Sequence, residues 1–243
     1  MRRIALFVEG QTELHFVQRL LEELAGKKNV VVEARKIVGG ASVPRRTLIL
    51  EAASIVGDEK YYVLIFDCGG DHQVKTRIME EHQGLTQAGY SKILGIRDVR
   101  PDFTLAEIPR LAMGLRSHIR TSLAPVDFIL CAMEIEAWFL AESSHYQRID
   151  PRITSEAIYL SLGFHPGNDD LALRPTPASD LNACYRLGGK NYEKGAIDTV
   201  NALDFGEVFL TLPPRIPYLQ KLVEHLEEFL TLHPAASTPR PHL

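Results

Sequence analysis

Apolar runs alternate with stretches of helical periodicity along the first part of the chain. Ile4-Ala5-Leu6-Phe7-Val8 reads as a buried strand that stops at Glu9-Gly10. Leu14, Val17, Leu20, Leu21 and Leu24 then fall on one helical face, with Gly26 as the stop. Gly10 is expected to permit the tight strand-to-helix turn. A second strand runs from Val30 toward Val38 and ends at Gly39-Gly40. Leu48, Ile49, Ala52, Ala53 and Val56 form a helical stripe, opened by Ser42 or Pro44 and stopped by Gly57. Tyr61 to Phe66 predicts a third strand, apolar on both faces as a central parallel strand is. The same reading gives a helix over 74–88, a strand over Lys92 to Ile96, a helix over 105–119 and a strand over Phe128 to Met133. This alternation predicts an α/β fold, a parallel sheet with helices on both faces.

From residue 146 onward prolines and glycines interrupt the pattern. Short helices are predicted near 154–162, 178–187, 195–203 and 216–230. The expected division is a core over 1–145, a mainly helical extension over 146–231 packed on it, and a disordered tail over 232–243.

The placement of acids changes the picture. Glu9, Asp67, Asp98 and Glu134 each follow an apolar strand. Parallel strands put their carboxyl ends on one edge, where α/β proteins bind ligands, so these residues are expected to converge. Glu13 lies in the first turn of the first helix, where a lone acid also suits the helix dipole. Asp71 follows Asp67 across Gly69-Gly70, and Glu136 follows Glu134. Oxygen ligands without a Cys or His pattern suit a hard cation, Mg2+ or Mn2+. His72 beside Asp71 is a further acid or ligand candidate, against the reading of a bystander in a loop.

Composition adds limits. The chain has 243 residues, 45% hydrophobic and 24% charged, with a net charge of −4. That is ordinary globular composition, and the charge neither advertises nor excludes nucleic acid. Arg35-Lys36, Arg45-Arg46, Arg97 with Arg100, and Lys190 with Lys194 are local basic clusters, either solvated surface or a phosphate track. No apolar run is long enough to span a bilayer, so no membrane partner is expected. The start, Met1-Arg2-Arg3-Ile4, lacks a signal-peptide layout. Cys68, Cys131 and Cys184 are isolated, and a reducing cytoplasm is the expected setting.

VEGQTE, residues 8 to 13, resembles the first motif of the Toprim domain of OLD-type nucleases and related Toprim-like defence proteins. The two glutamates of that motif hold divalent metal in the family, and they correspond to Glu9 and Glu13. The family's DxD is similar to Asp67-Cys68-Gly69-Gly70-Asp71, with the second acid displaced by two positions. GIRDVRP, and MEIEAWFLAE with its Glu134-Ile135-Glu136-Ala137-Trp138, resemble later motifs of Toprim-like families found beside ATPase genes. GGKNYEKG resembles the family's late basic segment.

The resemblance implies a Toprim-like, Rossmann-like fold and a metal-dependent nuclease acting on DNA or RNA in cytoplasmic defence. Strand ends and resemblance together point to Glu9, Glu13, Asp67 and Glu136 as metal ligands first, and to Asp71, Asp98 and Glu134 next. The resemblance implies Glu9, Lys190 and Lys194 as catalytic residues. An AAA or ABC-type ATPase is the partner it suggests. Two alternatives stay open: a catalytically weak subunit that binds an ATPase or a nucleotide, and a small-molecule phosphatase.

Overall fold

The computed structural model describes residues 1–39, 43–70 and 72–231. Asp71, the proposed helix opener Ser42 and the tail 232–243 lie outside the described residues. Among those described, six strands form one sheet: β1 (Arg2–Val8), β2 (Val30–Val38), β3 (Arg46–Glu51), β4 (Tyr61–Asp67), β5 (Lys92–Asp98) and β6 (Val126–Cys131). The spatial order is β3-β2-β4-β1-β5-β6. All neighbouring pairs are parallel except β2 with β3, which is antiparallel. The architecture is α/β with a mostly parallel sheet.

Side-chain alternation divides the sheet between two helical layers. Ile4, Leu6 and Val8 pack into a core shared with α1 (Gln11–Ala25), while Ala5 and Phe7 face α2 (Gln73–Gln87). A third helix, α3 (Ile108–Arg116), covers β6 through Leu111 and Leu115. The chain continues through α4 (Glu136–Ala141), α5 (His145–Ile149), α6 (Ser155–Leu162), α7 (Pro177–Leu187), α8 (Ile197–Ala202) and α9 (Pro217–Thr231). These helices close the α1 side: one apolar cluster runs from Ile4 and Phe16 through Trp138 and Tyr185 to Phe229. Trp138 is buried against Phe16, ring centroids 5.6 Å apart.

The helix expected over 44–56 is a correction. Residues 46–51 form β3, and 52–60 carry neither helix nor strand. Thr47 and Ile49 are β-branched, and the free side of β2 offers backbone partners that an isolated short helix lacks. The wholly parallel sheet is corrected by the same strand. Gly10 also differs from expectation: its backbone is extended, and a Cβ there would meet nothing nearer than Glu13 Oε2 at 3.6 Å. Close approach instead matters at Gly95 in β5, where a Cβ would lie 2.7 Å from Phe128 Cδ1 and 2.8 Å from Ile78 Cδ1. Gly95→Val is therefore expected to destabilise the fold by about 1–3 kcal/mol through overpacking. A thermal melt indistinguishable from wild type would show that Phe128 and Ile78 yield without cost.

Candidate metal centre

The carboxyl edge of the sheet assembles the site in spatial order. β2 contributes Lys36, β4 Asp67, β1 leads into Glu9, β5 ends in Asp98, and Glu134 and Glu136 follow β6. Period-two alternation decides which side they take. Val32 and Ala34, Val63 and Ile65, and Leu94 and Ile96 face the α1 layer. Lys36, Asp67 and Asp98 share their parity and so emerge on that layer, where α1 begins and presents Glu13.

Three carboxylates meet there. Glu9, Glu13 and Asp98, all buried, offer oxygens that lie within 4.8 Å of one another. Each is fixed by backbone. Glu9 Oε1 accepts the Asp98 N–H at 2.5 Å, Asp98 Oδ1 accepts the Ile135 N–H at 2.9 Å, and Glu13 Oε2 accepts the Gly10 N–H at 3.1 Å. Such bonds orient the acids without rotamer freedom, as a preformed ligand set requires. Glu136 stands close behind them. Its Oε1 accepts the Tyr192 hydroxyl at 2.7 Å, and its buried Oε2 has no hydrogen-bond partner. Glu134 is turned partly to scaffold, since its Oε2 accepts the Ala178 N–H at the start of α7 at 3.0 Å.

Crowding shows in the proton affinities. Burial, then the charge of Glu136, pushes Glu13 from 4.5 up to about 7, against the pull of its backbone hydrogen bonds. Asp98 is held well above the usual carboxylate range by burial and by Glu13 and Glu136. Burial also raises Glu136, although Lys194 and Tyr192 oppose it.

One lysine serves this group. Lys194 Nζ lies 3.4 Å from Glu134 Oε1 and 3.6 Å from Glu136 Oε1. Desolvation works against its charge, but Glu136, Asp98 and Glu134 outweigh that and hold the ammonium above its ordinary range. Its loop is pinned to the first motif, because the Gly195 N–H donates to Thr12 Oγ1 at 2.8 Å. Lys190 is not brought to the edge; it is exposed beside α8 in a separate cleft with Arg148 and Asp198. Asp67 is also drawn aside: Lys36, its register partner on β2, sets Nζ 3.0 Å from Asp67 Oδ2. Asp67 still lines the same open cleft of about 410 Å³ as Glu9, Glu13, Asp98, Lys36 and Lys194. His72 faces solvent, 3.4 Å from Asp102.

Asp67 stands ahead of Asp98 on sequence alone, Lys36 enters there only within the Arg35-Lys36 basic cluster, and Thr12 not at all. The signal for Lys36 was present in Val32, Ala34 and Lys36, which alternate on one face and end in a charge. Thr12 gave no signal, since its role depends on a loop far along the chain.

The described residues thus form a mostly parallel α/β sheet with a buried carboxylate cluster at its carboxyl edge. The donors are carboxylate oxygens, which fit Mg2+ or Mn2+ better than zinc. No family model, curated protein or solved structure matches the chain. No helix among the described residues is long and apolar enough to cross a membrane.

Proposed function

We propose that the chain is a Toprim-like, metal-dependent phosphodiesterase, a nuclease using Mg2+ or Mn2+ at Glu9, Glu13 and Asp98. The observation that carries this reading is the convergence of those three buried carboxylates within 4.8 Å at the sheet edge, beside the unpartnered Glu136 Oε2. Buried like charges are costly unless something neutralises them. A bound divalent ion would polarise a phosphoryl oxygen and lower the pKa of a water. Glu9 and Asp98 would orient the ion through their backbone-anchored carboxylates. Tyr192 holds Glu136, and Lys194 stands where it can offset charge developing on a phosphate. The Lys36–Asp67 pair favours one ion over two. The resemblance of VEGQTE and EIEAW extends the proposal to a cytoplasmic defence setting beside an ATPase partner.

The open cleft also admits a small phosphoester, so a phosphatase is the second reading. Pure protein is incubated with manganese and DNA, RNA or a small phosphomonoester. Cleavage of nucleic acid that Glu9→Gln abolishes supports the nuclease, and turnover of the monoester alone supports the phosphatase. Inactivity on all three sinks both.

The two lysines should separate kinetically. Lys194→Ala is expected to lower turnover roughly a hundred-fold, as loss of a charge-stabilising donor does. Lys190→Ala is expected to match wild type. Equal losses would mean that the loop 188–196 acts as a whole and that the placement of Lys194 is incidental.

A further inference from the structure

We propose that β3 is a self-pairing edge, through which two copies of this chain join into one continuous sheet. β3 is the terminal strand of the sheet, and among the described residues its backbone hydrogen-bonds to β2 alone. Every residue of β3 is exposed, including Leu48, Ile49 and Leu50. Six of the fifteen exposed large hydrophobics among the described residues fall between Val43 and Val56. A bare apolar edge of this kind is a template for another strand, and natural proteins usually protect it.

The register within β3 identifies the occupant as a second copy. Val38 pairs with Arg46, Ile37 with Thr47, Lys36 with Leu48, Arg35 with Ile49, and then Ala34 with Glu51. Leu50 is thus the extra residue of a bulge, which returns Glu51 to the face shared by Arg46 and Leu48. An antiparallel pair related by a two-fold axis sets opposed residues on one face. Centred on Leu48, that axis puts Leu48 against Leu48 of the other copy and Thr47 against Ile49. It puts Arg46 against Glu51, twice. Without the bulge, Arg46 and Glu51 would lie on opposite faces and no such pairing would form. Arg46 has no ion pair among the described residues, while Glu51 receives the Gln18 amide at 3.0 Å from within its own chain. The edge therefore carries its own charge complement, which a peptide of unrelated sequence would not supply.

Sedimentation of the full chain tests this. Wild type is expected to be dimeric at micromolar concentration. Arg46→Glu and Glu51→Arg each set like charges opposite one another at both ends, and each should weaken the dimer roughly ten-fold or more. Mixing the two variants restores opposite charges at both ends, so the mixture should form a heterodimer that neither forms alone. Leu48→Cys should give a disulfide-linked dimer under mild oxidation and Thr47→Cys should not, the native cysteines being buried. A wild type that stays monomeric up to about 100 μM would overturn the proposal. So would a dimer indifferent to both charge swaps and to their mixing. Both variants replace exposed side chains, and a circular dichroism melt confirms that each is folded before it is compared.

Discussion

Glu13→Gln melts at a higher temperature than the wild-type chain in EDTA at about pH 8, and manganese raises its melting point far less. Glu13 is buried, and its folded-state pKa lies at about 7 against an ordinary value of 4.5. The folded chain therefore binds this proton more tightly than the unfolded chain. Below pH 4.5 both states are protonated and the fold keeps its full stability. Between 4.5 and about 7 that stability is lost, and above 7 the loss is complete. The interval corresponds to about 3 kcal/mol, most of it burial and part of it repulsion from Glu136. Glutamine removes the charge and retains an oxygen for the Gly10 N–H. In EDTA the variant should gain several degrees, roughly 5–10 °C, and its melting point should fall less steeply than wild type between pH 5 and 8, the fall that remains belonging to Asp98 and Glu136. Manganese at a hundred times its Kd should add about 2.7 kcal/mol to wild type and little to the variant. A Glu13→Gln protein less stable in EDTA, with an unchanged gain from manganese, would make Glu13 a helix-start acid and remove the centre from α1.

The strand ends were legible because apolar runs stop at acids. Buried central strands tolerate no charge until they leave the core, so Val8-Glu9, Phe66-Asp67 and Ile96-Arg97-Asp98 mark the edge in plain sequence. What the runs do not encode is register. Asp67 follows its strand as closely as Asp98 does, yet pairing with β2 sets Lys36 beside it, and Asp98 joins Glu9 instead. β3 was illegible for a related reason. Leu48, Ile49, Ala52, Ala53 and Val56 satisfy a helical period, but a helix buries its stripe, and among the described residues Leu48, Ile49 and Val56 are exposed. The lysines of GGKNYEKG look equivalent by spacing. Two hydrogen bonds between segments far apart in the chain, Gly195 N–H to Thr12 Oγ1 and the Tyr192 hydroxyl to Glu136 Oε1, set Lys194 at the edge.

The opposite behaviour is expected of Glu142, an acid that the sheet edge does not use. It is fully buried at the end of α4, the helix that begins with Glu136. Its Oε1 accepts the Ser144 N–H at 2.7 Å and the Ser144 hydroxyl at 2.5 Å. Its Oε2 accepts the His145 N–H at 3.0 Å and the Asp204 N–H at 3.3 Å, with Arg148 Nη2 at 3.4 Å. Burial alone would raise its pKa, but hydrogen bonds and charge from His145 and Ser144 prevail and draw it from 4.5 to about 2. The carboxylate is thus the form that the fold wants. Its contribution is full above pH 4.5 and fades as pH falls toward 2. Glu142→Ala leaves the buried His145 N–H and the half-buried Ser144 without their acceptor and should cost about 3 kcal/mol, a fall of roughly 6–12 °C in melting temperature. The fall should be the same in EDTA and in manganese, because the five donors lie away from the cleft. Between pH 4.5 and 2 the variant should lose stability less steeply than wild type, since it has no carboxylate left to protonate. Glu13 and Glu142 are both buried acids in or beside helix termini. A melt in which Glu142→Ala is neutral, or is rescued by manganese, would show that burial and hydrogen-bond count do not separate site acids from scaffold acids in this fold.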